Sequence, residues 1–250
     1  MKLSSIFYPV LLLGTVLIAC SKDDDDNNSN PSDLNTLYAN SIKDAMVAED
    51  NEVSNGLMAV TDANPAMVWK VINGQKYVLM ATFMRFPGSY PVGDSITNSW
   101  GESWVFAPSQ MKTKTNGVFT ASSDTIQRVC QMLGLPPRNS RSNTHIAQVW
   151  VLPSRLYRPA GNPDITTTTA PVALMTTVSN DFKTWFDNYI IFAYYRTLTS
   201  DSDFHYPWTR LGYTYDWAPG AREEGCSEFV ILPNSGMWVE KNTTASGFFK

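Results

Sequence analysis

Beyond residue 34 the chain alternates short apolar stretches with polar punctuation. The clearest pattern runs from Met67 to Phe83, where two β-branched and aromatic runs flank Asn73-Gly74. That dipeptide supplies the two positive φ angles of a type I′ turn, so the spacing predicts a hairpin. Ser103 to Ala107 predicts a strand stopped by Pro108, and His145 to Leu152 predicts a buried strand. Ile126, Val129, Cys130 and Leu133 stand at i, i+3, i+4 and i+7. With Ser123 or Asp124 to cap, Gly134 to take the left-handed stop and Pro136 to forbid continuation, they predict a helix. A second helix opens at Ser179-Asn180-Asp181, with Phe182, Trp185, Phe186, Tyr189 and Ile190 on one face to pack on the sheet. Leu34, Leu37, Tyr38 and Ile42 allow a short helix, Pro153 to Thr169 reads as a long loop, and Ile191 to Asp203 has no decisive period. Phe229 to Leu232 and Met237 to Glu240 predict a closing pair of strands around Pro233-Asn234-Ser235-Gly236. The expectation is one α+β domain, residues 35–250, with a mainly antiparallel sheet and two packed amphipathic helices.

The amino terminus has a different character. Met1-Lys2 is basic, Ile6 to Ile18 is apolar, and Ala19-Cys20 closes the run, the layout of a secretory signal peptide over residues 1–19. A spanning helix needs about twenty apolar residues, and this run is shorter and carries Pro9. Leu17-Ile18-Ala19-Cys20 resembles the lipobox of bacterial lipoproteins. The resemblance implies cleavage before Cys20, acylation of its thiol and new amino group with chains such as palmitate, and a membrane partner reached through that lipid. Residues 20–34 follow as a polar tether with four consecutive aspartates, Asp23 to Asp26, which repel one another and cannot bury surface. Lys22 with those acidic residues resembles the surface-export signal of lipoproteins in the Bacteroides group. That implies the outer face of the outer membrane, with its periplasmic face as second choice.

Composition narrows the partners. Apolar residues are 43%, charged residues 17% and the net charge is −4, so there is no basic field to hold nucleic acid. Aromatics reach 12%, with eight Trp and eleven Tyr, more than enough for a core and suited to stacking on a ligand where exposed. Besides Cys20, Cys130 and Cys226 either pair in an oxidising exterior or sit as small buried hydrophobes. No CxxC or Cys/His cluster is present, and neither a metal nor a cofactor is expected.

Chemistry concentrates in Phe204 to Trp217 and Glu223 to Glu228, which carry an imidazole, a guanidinium, carboxylates and large rings. The candidate binding or catalytic residues are Arg158, His205, Trp208, Arg210, Tyr213, Asp216 and Glu228. The alternative is architecture, with Trp208 and Trp217 plugging the core and Arg210 paired to Asp216. Leu133 to Pro137, Trp150 to Pro159, Tyr206 to Trp217 and Ser227 to Ile231 resemble a set of secreted bacterial proteins and lipoproteins without an assigned activity, which implies a shared fold and site but no reaction.

Glu228 to Pro233 followed by Met237-Trp238-Val239 is similar to the closing segment of ADP-ribosyltransferase-like and NAD-glycohydrolase folds. There Arg158 would clamp pyrophosphate and Glu228 would stabilise a ribosyl cation. Asp216 with Glu228 would also serve a glycosidase, and Asp164, Asp216 and Glu228 a divalent cation. Ser227 lacks a Gly-x-Ser-x-Gly elbow, which removes the support for a serine triad. The favoured function is a surface-anchored binding module for a small-molecule, glycan or protein ligand, with an enzyme on NAD or another glycosidic substrate as alternative. Convergence of Arg158, Arg210, Asp216 and Glu228 in one pocket favours the enzyme; pairing off within the core makes the loop architectural.

Overall fold

The computed structural model describes residues 33–120 and 122–250, which lie in one compact unit. The signal peptide, Cys20 and the aspartate run fall outside the described residues. The strands are β1 (Trp69–Ile72), β2 (Gln75–Met84), β3 (Ser95–Thr97), β4 (Ser103–Phe106), β5 (His145–Val151), β6 (Leu156–Tyr157), β7 (Tyr213–Tyr215), β8 (Glu224–Ile231) and β9 (Gly236–Thr244). The helices are α1 (Leu34–Ala45), α2 (Pro108–Lys114), α3 (Thr125–Met132), α4 (Asn180–Ile190) and α5 (Ala245–Phe248). All nine strands join one sheet, in the order β3-β9-β5-β2-β4-β8-β6, with β1 on β2 and β7 on β8, and each pairing is antiparallel. This is an α+β domain with a mainly antiparallel sheet, and among the described residues no helix is long and apolar enough to cross a membrane.

Local chemistry sets most boundaries. Asn73 and Gly74 take φ of 50° and 76° between β1 and β2, the pair of left-handed residues the Asn-Gly turn requires. The Asp124 carboxylate accepts from Gln127 N to cap α3. At the other end Leu135 N bonds Cys130 O (2.8 Å) and Gly134 N bonds Gln131 O (3.3 Å), with Gly134 at φ 63°, a full Schellman stop. Ser179 caps α4, and the stretch without a clear period, Ile191 to Tyr195, continues α4 as one π-helical turn. Pro108 ends β4 and also starts α2, at a position where its missing N–H costs nothing. Sequence reading saw only the stop.

The expected closing hairpin is not formed. β8 lies between β4 and β6, whereas β9 lies between β3 and β5. The linking residues instead bond to Asn98, which is fully buried. Its amide donates to Leu232 O (3.0 Å) and its carbonyl oxygen accepts from Ser235 N (2.6 Å). Four strand spacings, about 19 Å in a flat sheet, separate β8 from β9. Residues 231 to 236 reach at most about 18 Å even fully extended, and Asn234 at φ 56° shortens them. The sheet therefore curls, and it does so around a core of Val78, Met80, Val149, Phe229, Ile231 and Met237. Its other face is covered by α2, α3 and α5 through Phe106, Met111, Val129 and Phe248. An aromatic layer completes that face, with Phe186, Tyr194, Trp208 and Trp217 against α1. Cys130 and Cys226 are free and buried, small hydrophobes rather than a pair.

Candidate functional site

Strand parity divides the charged candidates between the two faces of β8. Cys226 packs with the helices and Phe229 with the curled core, so Glu228 points to the helix-covered face and Phe229 to the opposite one. Arg158 lies on the Phe229 side, its guanidinium 4.9 Å from that ring. It is 0% exposed. It donates to the carbonyls of Met58 and Thr167 at 3.0 Å, with longer bonds to those of Asp164, Gly212 and Ile165. Burial lowers its pKa to about 10, against the fields of Glu228 and Asp164. A Cβ on Gly212 would stand 2.7 Å from Arg158 Cδ, and its φ of 86° also calls for glycine. Arg158 ties loops together and, fully buried, presents no surface to a pyrophosphate.

Most of the other candidates are likewise spent on architecture. Asp216 receives both terminal nitrogens of Arg128, at 2.9 and 2.7 Å, so its partner comes from α3 and is not Arg210. Arg210, at φ 62°, donates to Met46 O (2.9 Å) and Ala45 O (3.4 Å) at the end of α1. His205 Nε2 lies 2.9 Å from Arg196 O, and the Tyr213 hydroxyl donates to Glu52 O at 2.9 Å. Asp164 caps its own turn by accepting from Thr166 N and Oγ1. The cation trio therefore does not assemble, and among the described residues the carboxylates that gather are Asp44, Glu52 and Glu223 near the surface.

Trp208 and Glu228 are the two candidates that meet at a cavity, of about 590 Å³. On the sheet side it is lined by Phe83, Trp104, Phe106 and Glu228; on the other side by Tyr189, Phe192, Trp208, Leu133 and Tyr215. Trp208 is set by an indole N–H to Pro159 O (2.9 Å) and by edge contacts with Phe186 and Tyr189 at 5.0 and 4.8 Å. Phe86 (67% exposed) and Trp100 (52% exposed) also line the cavity while reaching solvent.

Glu228 is 5% exposed, and its Oε1 has no hydrogen-bond partner. Its backbone N–H donates to Gly212 O (3.1 Å), and the residue stands opposite Phe106 of β4. Burial pushes its carboxyl well above the ordinary range, and the Arg158 charge through the sheet offsets only part of that. Burial thus favours the neutral form of a carboxyl that stands in the wall of a largely apolar chamber. Burial, and then the Glu228 field, also hold the Tyr189 hydroxyl above its usual value. Glu102 shares the wall, but its two oxygens already accept from the Tyr157 hydroxyl (2.8 Å) and the Trp185 indole (3.2 Å).

Reading by motif density overlooked Phe83, Arg85, Phe86, Trp100, Glu102 and Trp104. The available clue was a set of aromatic residues in and beside the breaks after β2 and β3, where loop aromatics have no core to fill. No protein-family model, no curated protein and no solved structure matches this chain.

Proposed function

We propose that this domain is a binding module for one small, mostly apolar ligand, and that acylated Cys20 holds it on the outer membrane, facing outward. The observation that carries the binding reading is Glu228, with its unpartnered Oε1, in the wall of a cavity of about 590 Å³ lined by aromatic residues. Ligand sites are usually preformed, apolar and oriented by a few polar groups, with volumes of about 300–1,000 Å³. A ligand that bonds Glu228 satisfies a polar atom that is otherwise costly to bury. Rings exposed at the cavity wall provide area at little entropic cost.

The test is direct. Neutral N-phenylnaphthylamine, titrated into purified chain carrying Cys20→Ser, should saturate with one site and gain fluorescence. Leu133→Trp, which fills the cavity, should weaken it about tenfold or more with an unchanged melting temperature. Loss of neither signal nor affinity in the filled variant would remove the reading. For the anchor, palmitate labelling should vanish in Cys20→Ser, and protease added to intact cells should cut the native chain; protection from protease would place it on the periplasmic face instead.

The enzyme reading retains one supporting observation, two carboxyl groups on one cavity, Glu102 and Glu228. Paired carboxylates are the apparatus of glycoside cleavage. Turnover of NAD or of aryl glycosides, abolished by Glu228→Gln, is its test. With Arg158 committed to main-chain carbonyls, the expected result is none.

A further inference from the structure

The aromatic cavity has a neighbour of opposite character. A smaller pocket of about 210 Å³ borders it, and Arg85, Leu135, Asn143 and Tyr206 line both. Arg141, Asn139, Ser142 and Ser202 complete much of its wall. Its polar side chains are cationic, amide or hydroxyl apart from the Cys130 thiol, and none of the described residues lining it is a carboxylate. Arg85 and Arg141 are exposed at its edge and make no ion pair among the described residues, while Arg138 close by is paired to Asp124 at 2.7 Å. The chain as a whole is acidic, with a net charge of −4. Two guanidinium groups without an ion pair therefore stand beside one opening, with Asp201 and Asp203 flanking Ser202 as the carboxylates on the neighbouring segment.

Resting on the cavity reading above, we infer that the ligand is an amphipathic organic anion. Its apolar body fills the aromatic cavity, a neutral polar group meets Glu228, and a carboxylate, sulfate or phosphate group reaches Arg85 and Arg141. Three features fit together. The chamber wall is mostly aromatic and aliphatic, with the Glu228 carboxyl, whose Oε1 has no partner, as a polar group within it. The adjoining pocket offers guanidinium forks suited to planar or tetrahedral oxyanions. Asn143 stands between the two, its amide nitrogen fixed on Phe83 O at 2.8 Å, which leaves the side-chain position set before a ligand arrives.

Two fluorescent probes of similar shape separate the claims. Anilinonaphthalene sulfonate carries an anion; N-phenylnaphthylamine does not. Arg141 lines only the polar pocket and is exposed, so its replacement leaves the core and the aromatic cavity intact. Arg141→Gln should weaken the sulfonate about fivefold, the size of one exposed charge contact. Arg141→Glu should weaken it about twentyfold or more, and Arg141→Lys should keep most of the affinity. The neutral probe should stay within about twofold throughout, and salt should weaken only the sulfonate. Equal sulfonate binding in the native chain, Arg141→Gln and Arg141→Glu would overturn the inference, as would neutral-probe binding without sulfonate binding, and both leave the cavity reading standing. Failure of both probes overturns the cavity reading and this inference with it.

Discussion

Arg128 and Asp216, 88 residues apart, meet through two parallel hydrogen bonds of 2.9 and 2.7 Å, with Asp216 only 5% exposed. This fork fastens α3 to the loop that leaves β7. Arg128→Ala strands a carboxylate in a site that water barely reaches, and should cost about 3–5 kcal/mol. Adding Asp216→Asn should recover part of it. Urea unfolding of the two variants measures both effects, and an Arg128→Ala cost below about 1 kcal/mol would show that the pair is solvated.

Glu228 makes stability depend on pH in a defined direction. Its folded pKa lies above the unfolded value of about 4.3. From about pH 4.3 upward the unfolded chain gives up a proton that the native chain keeps, so this group lowers stability as pH rises. Glu228→Gln lacks the titration. Its melting temperature should match the native chain near pH 4 and then gain by about 3–5 °C per pH unit up to the folded pKa. A difference that stays flat from pH 4 to pH 8 would contradict a protonated Glu228.

Arg158 answers differently to conservative replacement. A lysine keeps the charge but brings one compact ammonium to carbonyls spread around a planar fork. Arg158→Lys should therefore lose stability on the order of 3 kcal/mol, close to the loss in Arg158→Met, when both are read by chemical denaturation. NAD should remain unconsumed by native chain and variants alike.

Gly225, in β8, sits where α3, β7 and β8 crowd together. An added Cβ would meet Thr214 Oγ1 at 2.3 Å and the carbonyl of Met132 at 2.5 Å. Since main chain cannot step aside as a flexible tip does, Gly225→Ala should cost about 2–3 kcal/mol. Gly88→Ala, where nothing lies within 4 Å, should change the melting temperature by less than about 1–2 °C.

The fold was legible wherever one residue type had one local meaning. Asn73-Gly74, the Asp124 cap with Gly134, and the Ser179 cap each turned up at the expected place, and β2 and β5 read as apolar runs because both of their faces are covered. The closing hairpin misled because Pro233 to Gly236 has turn composition, while the partner for each strand was decided by Asn98, more than a hundred residues earlier. At the site, polar density drew notice to Arg158, Arg210 and Asp216, and that density was internal bonding. The cavity drew on residues with little local distinction, such as Trp100 and Phe106, brought together by strand order and by the curl of the sheet. Glu228 was singled out by a motif likeness, and its separation from Arg158 followed from strand parity once β8 was placed.

The position of β9 has a consequence for biogenesis. Gly236 to Thr244 is inserted between β3 and β5, so the last of the nine described strands fills an interior seat of the sheet. Until that strand docks, β5 shows a bare ladder of main-chain donors and acceptors. A chain truncated ahead of Gly236 would keep that ladder open permanently, and the nearest strand able to fill it would belong to another copy.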